Sequence, residues 1–199
     1  MKNNIVYFVV LVLVVSICSC NKNGGNSNDK EEKKDTLYND NIQSTFFDAP
    51  FGSSKKDVIA KFEEHGFIVN KYTSTDALVH FQPSTGSRFT FGNMPWEMLD
   101  ASFINDKFYH IRFMNASDDK ASAIQIYENV LSNLSAKYKV TNEEPSDTTC
   151  YRVSVGYSKQ KRIVFVACYR YETTSHTIMQ GISLEYQDGS FANEVSDEL

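Results

Sequence analysis

Residues 148–186, TTCYRVSVGYSKQKRIVFVACYRYETTSHTIMQGISLEY, contain three long β-type runs in succession: 148–157, 161–171 and 176–186. Val, Ile, Tyr, Phe and Thr dominate the runs. Polar clusters at Ser158-Lys159-Gln160 and Glu172-Thr173-Thr174-Ser175 separate them. This pattern reads as an antiparallel meander. Tyr151, Val153 and Val155 share odd parity with Ile163, Phe165 and Ala167. Pairing Val153 with Phe165 aligns the two sets around a loop of Ser158, Lys159 and Gln160. The same register sets Cys150 opposite Cys168. Directly opposed Cβ atoms lie about 4.5–5.5 Å apart, so a disulfide needs only modest adjustment. The alternative is two unbridged thiols packed as small hydrophobes.

The last run is apolar at Ile178, Ile182, Leu184 and Tyr186. Packing these with Ile163, Phe165 and Tyr169 places Arg162 opposite Glu185 and Cys168 opposite Met179. That register predicts an outer face carrying Arg152, Val164, Val166, Arg170 and Met179. Arg among apolar anchors tolerates desolvation, so this is a candidate protein-binding face.

Upstream, Ile124, Tyr127, Leu131, Leu134 and Tyr138 recur at steps of three and four, predicting a helix over 118–137 capped by Ser117 or Asn115. Short strand-like runs fill 67–114. Leu99, Ala101 and Phe103 share parity with Tyr109, Ile111 and Phe113. Pairing Ala101 with Ile111 gives a hairpin closed by a three-residue loop, Asn105-Asp106-Lys107. Ser54, followed three residues later by Asp57, starts a helix over 54–65 with Val58, Ile59 and Phe62 as its buried stripe and Gly66 just past its end. The fold class predicted is α+β: two helix-plus-antiparallel-sheet units (helix 54–65, strands 67–114, helix 118–137, strands 139–186) packed as one domain over 44–188, with a tail at 189–199.

The N-terminus tells where the protein works. Lys2 precedes a 13-residue run, Ile5 to Ile17, whose only clearly polar member is Ser16. As a helix this run spans roughly 20 Å, too short for a ~30 Å hydrocarbon core but the right length for a secretory signal. Ile17-Cys18-Ser19-Cys20 then resembles the lipobox of bacterial lipoproteins. The resemblance implies cleavage after residue 19, acylation of Cys20 and, with Asn21 next, sorting to the outer membrane. Each buried CH₂ contributes about 0.8 kcal/mol, so several acyl chains hold firmly where one holds marginally. Residues 20–43 read as a tether: Asn, Lys, Asp, Glu and Gly offer too little apolar surface to offset ordering entropy.

Loss of residues 1–19 removes Lys2 and takes the formal net charge from −5 to −6. That mildly acidic balance argues against a nucleic-acid footprint. Phe51-Gly52-Ser53-Ser54-Lys55-Lys56-Asp57-Val58 resembles the G-x-S-x-x-x-V helix start of small outer-membrane barrel-assembly lipoproteins and of β-lactamase-inhibitor-like proteins. That resemblance, carried by Gly52, Ser54 and Val58, implies a repeated helix-plus-sheet fold acting on protein partners without catalysis.

His65, His80, His110 and His176 lack metal-ligand spacing, and no H-E-x-x-H, G-x-S-x-G, P-loop or G-x-G-x-x-G is present. No catalytic residue, metal or cofactor is expected. The expected function is a membrane-anchored, non-enzymatic protein-binding or envelope-assembly module. The alternative is a small-ligand or glycan-binding lipoprotein that uses Trp96, Tyr72 and Phe89.

Overall fold

The computed structural model describes residues 38–191 apart from residue 146. The predicted signal segment, Cys20 and residues 21–37 of the tether lie outside the described residues, as do residues 192–199 of the tail. The elements in chain order are β1 (Tyr38–Asn39), β2 (Thr45–Phe46), β3 (Ala49–Pro50), α1 (Lys55–Glu64), β4 (Phe67–Val69), β5 (Leu78–Pro83), β6 (Phe89–Phe91), β7 (Met94–Trp96), β8 (Met98–Ile104) and β9 (Lys107–Ser117). After these come α2 (Lys120–Ser135), β10 (Thr141–Glu143), β11 (Cys150–Ser158), β12 (Arg162–Glu172), β13 (Ile178–Asp188) and a 3₁₀ turn, Gly189–Phe191.

Nine strands form one sheet in the order β1-β11-β12-β13-β9-β8-β5-β4, with β10 also on β11. Every pairing is antiparallel except β1 with β11. The fold is thus a single α+β domain of two helices and a large, mostly antiparallel sheet. The two predicted units are joined in it, because β13 pairs along its length with β9 and fuses their strands into one surface.

Both helices lie on the same face. Ser54 caps α1: its Oγ accepts from the Asp57 amide at 3.2 Å and donates to the Asp57 carboxylate at 2.7 Å. Gly52, at φ +91°, makes the turn into it. The α2 cap is Asp119, accepting from the Ser122 amide at 2.7 Å, two to four residues beyond the predicted caps. From α1, Val58 and Phe62 are buried, and from α2, Ala123, Tyr127, Val130 and Leu134. Opposite them the sheet presents Val79 and Phe81, Leu99 and Ala101, Ile111 and Phe113, Ile182, Leu184 and Tyr186, and Val164, Val166 and Cys168. The β2–β3 and β6–β7 hairpins add Phe46, Phe91 and Trp96 to the same core. Phe91 stacks on Phe113 at 4.0 Å, and Phe46 lies 5.0 Å from Tyr186. Each such ring removed from water contributes about 1.5–3 kcal/mol.

Three registers depart from expectation. In the β8–β9 hairpin, Ala101 faces Ile111 as predicted, but a bulge between Ser102 and Phe103 brings Phe103 opposite Phe108. The loop shrinks to Asn105-Asp106, both at positive φ, and both Phe103 and Phe108 reach the core. Between β11 and β12, Val153 faces Ala167 rather than Phe165, a two-residue slip that keeps the faces but separates the cysteines. Between β12 and β13, Phe165 faces Glu185 and Val166 faces Leu184. This last change exchanges the faces. Val164 and Val166, expected on an outer surface, are fully buried beneath α2.

The fold also begins earlier than expected. Asn39, in the predicted tether, is buried. Its amide group donates to Lys139 O and Tyr157 O at 3.0 and 3.1 Å and accepts from the Lys139 amide at 2.7 Å. Ile42 is part of the core.

Candidate functional site on the open face of the sheet

The opposite face of the sheet carries no helix among the described residues. Three cross-strand rows of side chains run along it. The first runs His80, Asp100, Arg112, Glu185, Phe165, Val155; the second Leu78, Ser102, His110, Gln187, Ile163, Tyr157; the third Met98, Met114, Ser183, Ala167, Val153. The charged and polar side chains gather on β5, β8, β9 and β13, flanked there by Leu78, Met98 and Met114, while β11 and β12 present aliphatic and aromatic ones.

The charged half holds two hydrogen-bonded clusters that meet where Glu185 stands across from Arg112. His80 Nδ1 donates to Asp100 Oδ1 at 2.6 Å. Arg112 donates to Asp100 Oδ2 from Nε at 3.2 Å and from a terminal nitrogen at 2.6 Å. Glu185 stands directly across the ladder from Arg112 and accepts from His110 Nε2 at 2.8 Å. With that proton on Nε2, His110 Nδ1 accepts from Ser102 Oγ at 3.1 Å. Asp100 is only 1% exposed, and Glu185 and His110 are also buried.

Burial by itself would push the Asp100 carboxyl up. The His80 hydrogen bond and the Arg112 charge outweigh it and hold the group below its usual range. Glu185 follows the same balance: burial opposes ionisation, while His110 and Arg112 overcome it. Burial likewise opposes the Arg112 charge, but Glu185 and Asp100 keep the guanidinium firmly protonated. Beside them, burial pushes the Tyr169 phenol up to about 12, against the pull of Arg112. Tyr169 lies across Gly181, where an added Cβ would stand 2.6 Å from its ring.

Ser102, His110 and Glu185 follow the order of an activated nucleophile, but the setting differs. β8 is an interior strand whose amides pair with β5 or β9, and the next amide, Phe103, donates to Ala77 O at 2.8 Å. A nucleophilic serine works beside amides aimed at a developing oxyanion. Setting which residues stand opposite one another is the best-attested use of such buried ion pairs. Among the described residues, no group of three or more His, Cys, Asp or Glu is arranged to hold a metal ion.

The predicted binding residues are divided between the faces. Arg152 is exposed and bonded to Glu128 of α2 at 2.8 Å, Arg170 is exposed, and Val164 and Val166 are core. Met179 lies on the open face opposite Tyr171. The aromatic trio does not converge either. Trp96 is fully buried, donating from Nε1 to Phe91 O at 3.0 Å; Phe89 packs edge-on to Phe67; Tyr72 is 99% exposed on a loop. Two open depressions, of about 500 Å³ beside α1 and 630 Å³ at the C-terminal end of α2, touch none of the network. Cys150 and Cys168 are free cysteines.

The network was not anticipated, yet its signal was present. The predicted hairpin register, Ala101 with Ile111, already sets Asp100 opposite Arg112 and Ser102 opposite His110.

No family model matches the chain, and no curated protein matches it. Among solved structures, the Saccharomyces cerevisiae Ran-binding protein Mog1p is similar to it at 14% identity. That match covers 66% of this chain and 74% of the yeast protein, with a TM-score of 0.23, too low to support any conclusion.

Proposed function

We propose that this chain is a lipoprotein of the bacterial outer membrane, anchored through Cys20, that binds another envelope protein without catalysis. Its docking surface is the open face of the sheet. The observation that carries this reading is the composition of that face. Phe165, Ile163, Val155, Met98, Met114, Met179 and Tyr171 surround a network whose charges are already paired within the protein. Covering such a face removes apolar surface from water at about 25 cal/mol per Å² without stranding a charge. Methionines adapt to an irregular partner surface. Both halves of the chain contribute to the face. The anchor rests on Lys2, the apolar run to Ile17 and the lipobox-like Ile17-Cys18-Ser19-Cys20.

Two experiments test the parts separately. Cells grown with radiolabelled palmitate should label the native protein and not Cys20→Ala; absence of label on the native protein ends the lipoprotein reading. Detergent-solubilised envelopes should yield a captured protein that Met98→Glu and Tyr171→Glu both lose while retaining a native circular dichroism spectrum. Unchanged capture by both variants ends the docking reading.

A further inference from the structure

Cys150 and Cys168 sit on adjacent strands at one end of the sheet. A bulge between Cys150 and Arg152 sets Arg152 opposite Cys168 and leaves Cys150 diagonal to it, opposite Tyr169. Cys150 Sγ stands 3.4 Å from Arg152 O and 3.6 Å from Cys168 O, the carbonyl of the other cysteine. Cys150 is half-buried, and Cys168 is fully buried beneath α2. On its outer side β11 pairs with β10 from Val153 to Val155 and with β1 at Tyr157 and Ser158, so the pairings given by β10 and β1 stop short of Cys150. Thr149 O accepts from the Arg170 amide at 2.8 Å and the Cys150 amide donates to Asp147 O at 3.1 Å, so closure requires the bulge between Cys150 and Arg152 to rearrange within these bonds.

We propose that Cys150 and Cys168 form a latent cross-strand disulfide, with Cys150 as the thiol that meets an external disulfide and Cys168 as the thiol that resolves it. The Cys150 thiolate attacks one sulfur of a small or protein disulfide donor. A Cys150–donor bond forms, the donor's own S–S bond breaks, and one donor thiolate leaves. The Cys168 thiolate then attacks Cys150 Sγ, forming the internal bond and releasing the second donor thiolate. The two protons from the protein thiols end on the two donor thiols; the protein is oxidised by two electrons and the donor reduced by two. Burial pushes the Cys168 thiol up to about 11, so the second step waits for a local opening. Closure changes how α2 is held. Tyr151 lies 3.9 Å beneath Lys120 Nζ, and Arg152 binds Glu128, so both bulge residues grip that helix.

This inference does not rest on the docking or lipoprotein readings, because peptide mapping reads the two cysteines directly. The native full-length protein is incubated folded with oxidised glutathione, then alkylated under denaturing conditions and digested. The expected product is one Cys150–Cys168 linked peptide, with alkylatable thiols at these positions falling from two to none. Cys168→Ser should retain a glutathione adduct on Cys150, and Cys150→Ser should leave Cys168 unmodified. A lasting glutathione adduct on Cys150 of the wild type overturns the proposal. So does full alkylation of both cysteines after oxidation.

Discussion

The two faces of the sheet solve different problems with the same strands. The helix-covered face is all side-chain packing: Phe113, Leu99, Ile111, Ile182 and Val166 are sealed beneath rings and aliphatics from α1, α2 and the hairpins. The open face buries as deeply at Asp100 and Glu185, yet there the burial is of charge, made tolerable by His80, Arg112 and His110. Packing supplies stability on the first face. On the second, buried charges are matched across neighbouring strands, and Met, Phe and Tyr side chains flank them.

That contrast can be broken at graded cost. Phe113→Ala removes a fully buried ring stacked on Phe91 and touching Trp96, and should cost about 4 kcal/mol in chemical denaturation. A cost below about 1 kcal/mol would mean that this face is loosely packed. Asp100→Ala strips Arg112 and His80 of their shared acceptor and leaves Glu185 as the remaining counter-charge of the half-buried guanidinium, and should cost about 2–3 kcal/mol. If the variant is as stable as wild type, the network carries no structural role.

Acid should act on the open face first. Asp100 and Glu185 have folded-state pKa values below their unfolded ones. Their contribution is therefore complete above the unfolded carboxylate range, about 4, and is lost as pH falls through the folded values. Stability measured from pH 7 downward should fall less steeply in Asp100→Asn combined with Glu185→Gln than in wild type. Equal slopes would contradict the assignment. Gly181→Ala should cost about 1–2 kcal/mol by pushing the Tyr169 ring away, and less in a Tyr169→Ala background. Met98→Lys, at a residue 41% exposed, should change stability by no more than about 0.5 kcal/mol while abolishing capture of a partner.

The elements were legible where one face of a run is plainly polar. Ser54, Asp57, Val58 and Phe62 mark α1, and the β8–β9 register follows from Leu99, Ala101 and Ile111 against Asp100 and Arg112. The failure came at β12. Ile163, Phe165 and Ala167 alternate with Val164, Val166 and Cys168, so both of its faces are apolar and parity cannot choose between them. Choosing the odd set as inner exchanged the faces of β11 and β12 relative to β13 and put Val164 and Val166 on a surface they do not occupy. Glu185 held the missing information. A lone carboxylate among Ile182, Leu184 and Tyr186 belongs opposite the lone Arg112 of β9, a pairing between strands far apart in the chain that no hairpin count supplies. Trp96 follows Pro95 in a short segment that reads as a loop; the segment is a hairpin folded over the core, and it buries the ring.

The most direct test of the open face as a docking surface is site-specific photocrosslinking in living cells. A photoreactive residue at position 98, on the open face, is compared with one at position 129, on the exposed side of α2. The docking account predicts a discrete adduct with one envelope protein from position 98 and none from position 129. Adducts from position 129 alone would contradict it.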